Sequence, residues 1–409
     1  MLESALKGLK VLDLSRILAG PWCTQNLSDL GADVIKVENP QNGDDTRGWG
    51  PPYLGDRAGA HFSAYFIACN RGKRSIAIDF RTTTGAELIR RLVADADVVV
   101  ENYKSGTLER HGLGYHNLRA INPRIIHLSI TGFGPTGPMA GKPGYDYVFQ
   151  GVGGMMSYTG QPDGTPGDGP LRTGVSVVDL MTGMYATSAV LAALFQRAQT
   201  NEGQHIDITL LDVAVAINAN QGSNFLVSRQ SPQRIGNAHA NLAPYEVFPC
   251  SDGHLILAIG NDTQFGAFCT LAGIPHVAAD ERFVTNSDRL HHREVLTALI
   301  SDLMVTRTRK SWGAALDDAG ISWGPINTLA DVFADPQVVH RTLEVSAEHP
   351  IVGAIPMVRN PMVGADATHR YAPPPLRGEH YAEILSEIDI DAHAVDQLVE
   401  SGVVGTPQQ

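Results

Sequence analysis

The sequence predicts an α/β protein: a large domain on a Rossmann-like parallel sheet, with a smaller α/β domain after it. Two observations carry this. Over residues 1–130, short apolar runs alternate with stretches whose apolar positions fall three and four apart, the order in which strands and crossover helices build a parallel sheet. From about 245 to 325 a second, shorter set of strand and helix patterns follows a polar stretch. With 409 residues the chain has room for two or three domains. The layout expected is 1–200 as the first part of the large domain, 201–244 as a linker, 245–325 as the small domain, and 326–409 as a return segment completing the large one.

The strands expected first are VLDLS at 11–15, ADVIKVE at 32–38, SIAIDF at 75–80, DVVVEN at 97–102 and RIIHLSI at 124–130, with a helix over 82–95 between the third and fourth. Ligands of such sheets gather at the carboxyl ends of the strands. That directs attention to Ser15–Pro21, Glu38–Trp49, Asn102–Arg110 and Thr131–Pro138. Gly132, Gly134 and Gly137 fit a dinucleotide-binding GxGxxG, but Pro135 and Pro138 interrupt it and MAGKPGYD continues it without helical pattern. The motif requires a strand, a loop and a helix in succession, so these residues read as an active-site loop. Residues 139–174 form a long Gly- and Pro-rich loop, of a length that is usually functional.

The apolar run Val175–Val178 then leads into a helix over 180–197, and Asp179 at their junction is the only acid between Arg172 and Arg197. Two readings stand. Asp179 caps the helix, as Asp commonly does, or it is a nucleophilic carboxylate that the helix start keeps ionised. Downstream, QHIDITLLDVAVAINANQG at 204–222 suggests a strand and a helix leaving the sheet, and 229–244 a polar loop. Strands at 247–250 and 254–259 with helices near 263–272 and 289–304 build the small domain. A helical stretch at 380–401 ends the chain.

Composition narrows the function classes. A net charge of −12 at pH 7 argues against nucleic acid or an anionic membrane surface as the main partner. Cys23, Cys69, Cys250 and Cys269 form no CxxC pair, so neither a zinc ribbon nor a disulfide framework is expected. His291 and His292 are adjacent and point apart on a helix; no metal site is expected, and no GxSxG supports a serine hydrolase. No run reaches the length of a membrane span and MLESALKGLKVLDLS lacks a signal pattern, so a cytoplasmic protein without membrane attachment is expected. Arg71, Lys73, Arg74 and Arg81 flank one strand, and Lys104 and Arg110 follow another; such a cluster suits a phosphate-rich ligand.

Five stretches, with the Asp179 helix, point further. KVLDLSRILAGPWCTQNLSDLGADVIKVE at 10–38, CNRGKRSIAIDF at 69–80, DVVVENYKSGTLERHGL at 97–113, PGYDYVFQGVGGMMSYTG at 143–160 and LRGEHYAEIL at 376–385 together resemble the class III (formyl-CoA transferase-like) coenzyme A transferases over essentially the whole chain. The resemblance implies Asp179 as the acyl-accepting nucleophile. It implies Asn102, Tyr103 and Arg110 against CoA, and Ile78, Phe80 and Arg81 around its adenine and phosphate end. It makes the loop from Gly236 through Asn237 and His239 to Asn241 a cover for the active site, although GNAHAN has fewer glycines than the formyl-CoA transferases. Leu18 and Asn39 replace a Gln and an Arg of the formyl-CoA:oxalate enzymes and speak against that substrate pair. It also implies an interlocked homodimer.

A racemase branch of the same fold uses a His where this chain has Tyr145. A phenol, with an ordinary pKa near 10, is a poor base at neutral pH, which favours transfer. A non-catalytic CoA-ester binding protein is the other alternative. The transfer chemistry needs no tightly bound cofactor: CoA thioester is substrate, and small carboxylic acids are the partners. The donor expected is a dicarboxylyl-CoA such as succinyl-CoA, with Arg16, Arg47, Arg172 and His239 as candidates to face a second carboxylate. Backbone amides of the Gly-rich loops and of the Asp179 helix start are candidates to stabilise oxyanions.

Overall fold

In the computed structural model, which describes residues 2–55, 61–364 and 370–407, the apolar runs of the first half become strands and the periodic stretches become the helices between them. Through residue 217 these are β1 (Lys10–Asp13), α1 (Ala19–Asp29), β2 (Asp33–Glu38), β3 (Tyr53–Gly55), β4 (His61–Ser63), α2 (Ala64–Asn70), β5 (Arg74–Ile78), α3 (Thr83–Ala94), β6 (Val98–Glu101), α4 (Tyr115–Ile121), β7 (Ile126–Thr131), α5 (Asp146–Val152), α6 (Met155–Tyr158), α7 (Val177–Thr200), β8 (His205–Thr209) and α8 (Leu210–Ala216).

Contacts divide the chain into two units. The first comprises 1–153, 173–217 and 335–409, the second 154–172 and 218–334. This differs from the expected layout. Residues 201–244 are not a linker: β8 pairs in parallel with β7 from His127↔His205 to Thr131↔Thr209, and α8 packs with α5 and α7. Spacing along the sequence showed strand and helix there but not which sheet they join.

The first unit holds a seven-stranded sheet in the order Val404–Gly405, β5, β2, β1, β6, β7, β8. All neighbours run parallel except the terminal Val404–Gly405 strand, which is antiparallel to β5. Strands such as Val98–Val100 are apolar on both faces because both are covered. One face packs Leu12, Ile76 and Val99 against Ile89 and Val93 of α3 and against Ile384 and Val395 near the carboxyl end. The other packs Val11, Val98 and Leu128 against Leu27 of α1 and Val178, Ala186 and Val190 of α7. By composition α7 is apolar enough to cross a membrane, a length the bare apolar runs did not suggest; here its buried side is sheet-covering core. Gly183 permits the close α1–α7 crossing, since a Cβ there would stand 2.8 Å from the Ala19 carbonyl oxygen and 2.9 Å from Trp22.

Around Asp13 at the carboxyl end of β1, Lys36 of β2 and Lys73 just before β5 lies a buried charge network. Lys73 Nζ meets Asp13 at 3.0 Å and Lys36 Nζ meets Asp44 at 2.8 Å, all four side chains fully shielded. Thr24 and the Ser15 amide also donate to Asp13 (2.6 and 2.9 Å), and Lys36 donates to the Ser15 carbonyl (3.0 Å). The network thereby pins the β1–α1 loop, one of the places where a ligand was expected.

The second unit carries an antiparallel sheet of Ser322–Pro325, Gly253–Ala258 and Tyr245–Cys250. Helices at Asp262–Leu271, Arg293–Met304 and Arg309–Asp318 cover it around Phe248, Phe268 and Trp312.

Candidate active site

No strand precedes α7: residues 172–176 are irregular and Ser176 makes no side-chain cap. The first amides of the helix are satisfied from elsewhere. Asp146, at the start of α5, accepts from the Val178 amide (2.7 Å) and the Asp179 amide (3.2 Å). Gln150 donates to the other Asp146 oxygen (2.6 Å) and accepts from the Thr173 amide (2.9 Å). The cap is therefore Asp146, and the Asp179 carboxylate accepts no hydrogen bond among the described residues. Burial, reinforced by the charge of Asp146, pushes the Asp179 carboxyl up to about 7. The expectation that the helix start keeps Asp179 ionised fails for a physical reason: the amides that would stabilise its charge already face another carboxylate. For the same reason those amides are not open to an oxyanion.

Asp179 lies 8% exposed on the wall of a cavity of about 250 Å3. The other walls are the loop Arg16–Ala19, the loop Asn102–Ser105, the Gly132–Gly134 turn after β7 and the Gly141–Tyr145 approach to α5. Lys104 and Lys142 stand on these walls. Tyr145 lines the same cavity and is largely exposed. Asn102 clasps the backbone of Arg16, accepting from its amide (3.0 Å) and donating to its carbonyl (2.6 Å). Ile17 beside it is held at φ +72°, a conformation that costs a β-branched residue energy and is typical of functional loops.

A second cavity, of about 190 Å3, adjoins the first and shares Arg16 and Tyr103 with it. Ile78, Phe80 and Arg81 line it, with Lys36, Asn39 and Gly43. Phe80 meets Tyr103 edge to face at 5.3 Å. Arg81 pairs with Asp79 at 2.7 Å but is more than half exposed. Arg110 sits in a short 3-10 turn, Glu109–His111, near Thr107, and lines neither cavity.

The basic cluster read from the sequence largely dissolves. Arg71 is buried on Asp29 (2.9 and 2.7 Å), Lys73 on Asp13, and Arg74 joins Asp33, Glu383 and Glu387. Arg47 is equally committed. Its guanidinium donates twice to the buried Glu38 at 2.7 Å and covers the Phe66 ring at 3.8 Å. Arg47 is therefore a structural ion pair and does not line the Asp179 cavity. Arg47→Ala is expected to lower the unfolding temperature by leaving Glu38 buried without its partner, while selectivity among acceptor acids stays at the wild-type pattern; altered selectivity would return Arg47 to the site. Arg16 pairs with Asp45 at 2.9 Å, yet its side chain is about half exposed.

Gly236, Asn237, His239 and Arg172 belong to the second unit. There Gly236 takes φ +64° and donates to the Gly160 carbonyl (3.0 Å), and the His239 ring stands 5.0 Å from Tyr245. Sequence reasoning did not single out Asp146 or Lys142. The run GKPGYDY at 141–147 held both, but no periodicity marks a residue that caps a helix thirty positions later. Among the described residues no group of three His, Cys, Asp or Glu could hold a metal ion.

A family model described as CoA-transferase family III matches residues 6–381. The succinate--glutarate CoA-transferase of Agrobacterium fabrum is 49% identical over 386 residues, spanning 94% of this chain and 96% of that protein. The succinyl-CoA:glutarate CoA-transferase of Homo sapiens is 41% identical over 404 residues, spanning 98% and 90%. Among solved structures, a CAIB/BAIF family protein from Brucella suis superposes with a TM-score of 0.82 at 50% identity, covering 95% of this chain and 100% of that one.

Proposed function

The chain belongs to CoA-transferase family III and is a CoA-transferase; from this premise we propose that it moves CoA from a dicarboxylyl-CoA, succinyl-CoA in the first instance, to a small carboxylic acid, with Asp179 as nucleophile. The observation that carries the assignment of Asp179 is its carboxylate, unbonded by any described residue on the wall of a cavity, while the capping duty falls to Asp146. A cap would have its oxygens on the helix amides. The names of the relatives at 49% and 41% identity support the dicarboxylate donor.

In this reading the Asp179 carboxylate adds to the thioester carbonyl and the C–S bond breaks, leaving an acyl-aspartyl anhydride and CoA thiolate. The thiolate attacks the aspartyl carbonyl, forms aspartyl-CoA and releases the donor carboxylate. The acceptor carboxylate attacks that thioester, giving a second anhydride and CoA thiolate again. The thiolate then takes the new acyl group and frees Asp179. Each step trades one activated acyl for another, so electrons and protons balance without nucleotide or metal. Water must be kept from both anhydrides. The amides of the Gly-rich loops at 132–134 and 141–144 remain the oxyanion candidates. Ile78, Phe80, Arg81, Asn102 and Tyr103, which line the two cavities, are the CoA-facing set.

Two-base racemisation is disfavoured because, among the described residues, no histidine lines the Asp179 cavity and a tyrosine stands at 145. An interlocked homodimer belongs to the same reading. The exposed apolar side chains Tyr147, Val148 and Val152 of α5 and Tyr185 and Phe195 of α7 support a partner surface. Sedimentation at nanomolar concentration is expected to show dimers only; a folded monomer would refute the interlocked form.

The test of function mixes the protein with succinyl-CoA and a pool of small carboxylic acids and reads new acyl-CoA masses. New thioesters name the acceptors. Their absence with succinyl-CoA and with other dicarboxylyl-CoA donors would overturn the proposal.

A further inference from the structure

We propose that Asp146 is a positioning residue for the transfer step: by accepting the first amides of α7 it fixes the Asp179 backbone and cancels the helix-start field that would otherwise hold Asp179 as a weakly basic, weakly nucleophilic carboxylate. The inference rests on Asp179 being the nucleophile.

A carboxylate in the first turn of a helix ordinarily gains from the free amides and the positive end of the dipole. Here one oxygen of Asp146 takes both the Val178 and the Asp179 amide. Its other oxygen is held by Gln150, which is itself fully buried and anchored on Thr173. Gln150, Asp146 and Val178 along this hydrogen-bonded chain are buried, so its geometry is set before any substrate arrives. The charge of Asp146 acts on Asp179 in the same direction as burial.

The other groups that face Asp179 are few. Tyr65 of α2 senses its charge and bonds Ser176, and Arg16, Lys104, Lys142 and Tyr145 line the cavity it opens on. Among the described residues, no cation bonds it. A carboxylate so placed is more basic than an ordinary aspartate, and basicity and nucleophilicity rise together within a class of nucleophile. It reaches full ionisation only on the alkaline side of neutrality.

The test uses the full-length protein and two variants. Asp146→Asn keeps an oxygen for the α7 amides and removes the charge; Asp146→Ala removes both. With Asp146→Asn, the acid limb of kcat/KM against pH is expected to move down by about one pH unit or more. In the same variant kcat at pH 8 falls several-fold and KM for acyl-CoA changes little. Asp146→Ala should add a lower unfolding temperature. An Asp146→Asn variant that unfolds near the wild-type temperature but keeps the wild-type acid limb and kcat reduces Asp146 to a structural cap and overturns the proposal. Asp179→Ala separates the two claims. If that variant still transfers CoA, the nucleophile reading fails; if it is inactive and the Asp146→Asn limb does not move, only the role of Asp146 fails.

Discussion

Replacing Asp179 by asparagine is expected to abolish transfer and stabilise the protein at the same time. The loss of activity should be roughly 10^3-fold or more, as for other nucleophiles, and Asp179→Ala, which does not revert by deamidation, should match it. The gain in stability follows from the raised carboxyl, about 7 in the folded chain against roughly 3.9 when unfolded. The folded state tolerates the neutral acid and resists its ionisation. The penalty therefore accumulates as pH rises from the unfolded value to the folded one, and is complete above it. At pH 8 asparagine, which carries no charge to bury, should recover up to about 4 kcal/mol, and near pH 4 nothing. Thermal unfolding of both forms across that range checks the sign. An equal or lower unfolding temperature at pH 8 would mean that Asp179 sits in a more solvated or better paired place than the cavity wall.

The second large effect concerns the buried charge network. Lys73→Met is expected to cost about 3–5 kcal/mol, because it strands the Asp13 carboxylate in the core. Burial pushes Asp13 up, and Lys73 with Lys36 holds it below the ordinary carboxylate range. Without Lys73 the first influence wins, so the deficit should shrink as pH falls and Asp13 takes up a proton. The double variant Asp13→Asn with Lys73→Met should lie closer to the wild type than the single one, since neither partner is then an unpaired charge. A single variant as stable as the wild type would show that water reaches Asp13.

These two residues mark the limits of what the sequence discloses. Alternation of apolar runs with helical spacing identified β1, β2, β5, β6 and β7 in the observed order, because parallel strands buried on both faces have no reason to be anything but apolar. Asp179 was conspicuous for a similar reason, a lone acid in an apolar helix. Partnership was not legible. Lys73 and Arg47 looked like loop cations available to a ligand, and the fold commits Lys73 to Asp13, 60 positions away, and Arg47 to Glu38, 9 positions away. Asp146 looked like one more polar residue of a long loop, and the fold brings it to the start of α7. A pairing between residues distant in the chain leaves no periodic trace in either stretch.

The path of the chain between the two units bears on how the protein is made. The first unit draws its last segment, 335–409, from beyond the whole of the second, and the antiparallel strand Val404–Gly405 that edges the sheet beside β5 comes almost at the end. A ribosome adding about 5–20 residues per second delivers 1–217, with the 154–172 piece of the second unit inside it, then the rest of that unit, 218–334, and only then the segment whose Ile384 and Val395 join Ile76 and Ile78 in one core. During that interval the face of the growing sheet that α3 covers lacks the part of its core that Ile384 and Val395 complete. The nascent chain is accordingly most prone to aggregation before its final segment emerges, and truncations near the carboxyl end expose that same face.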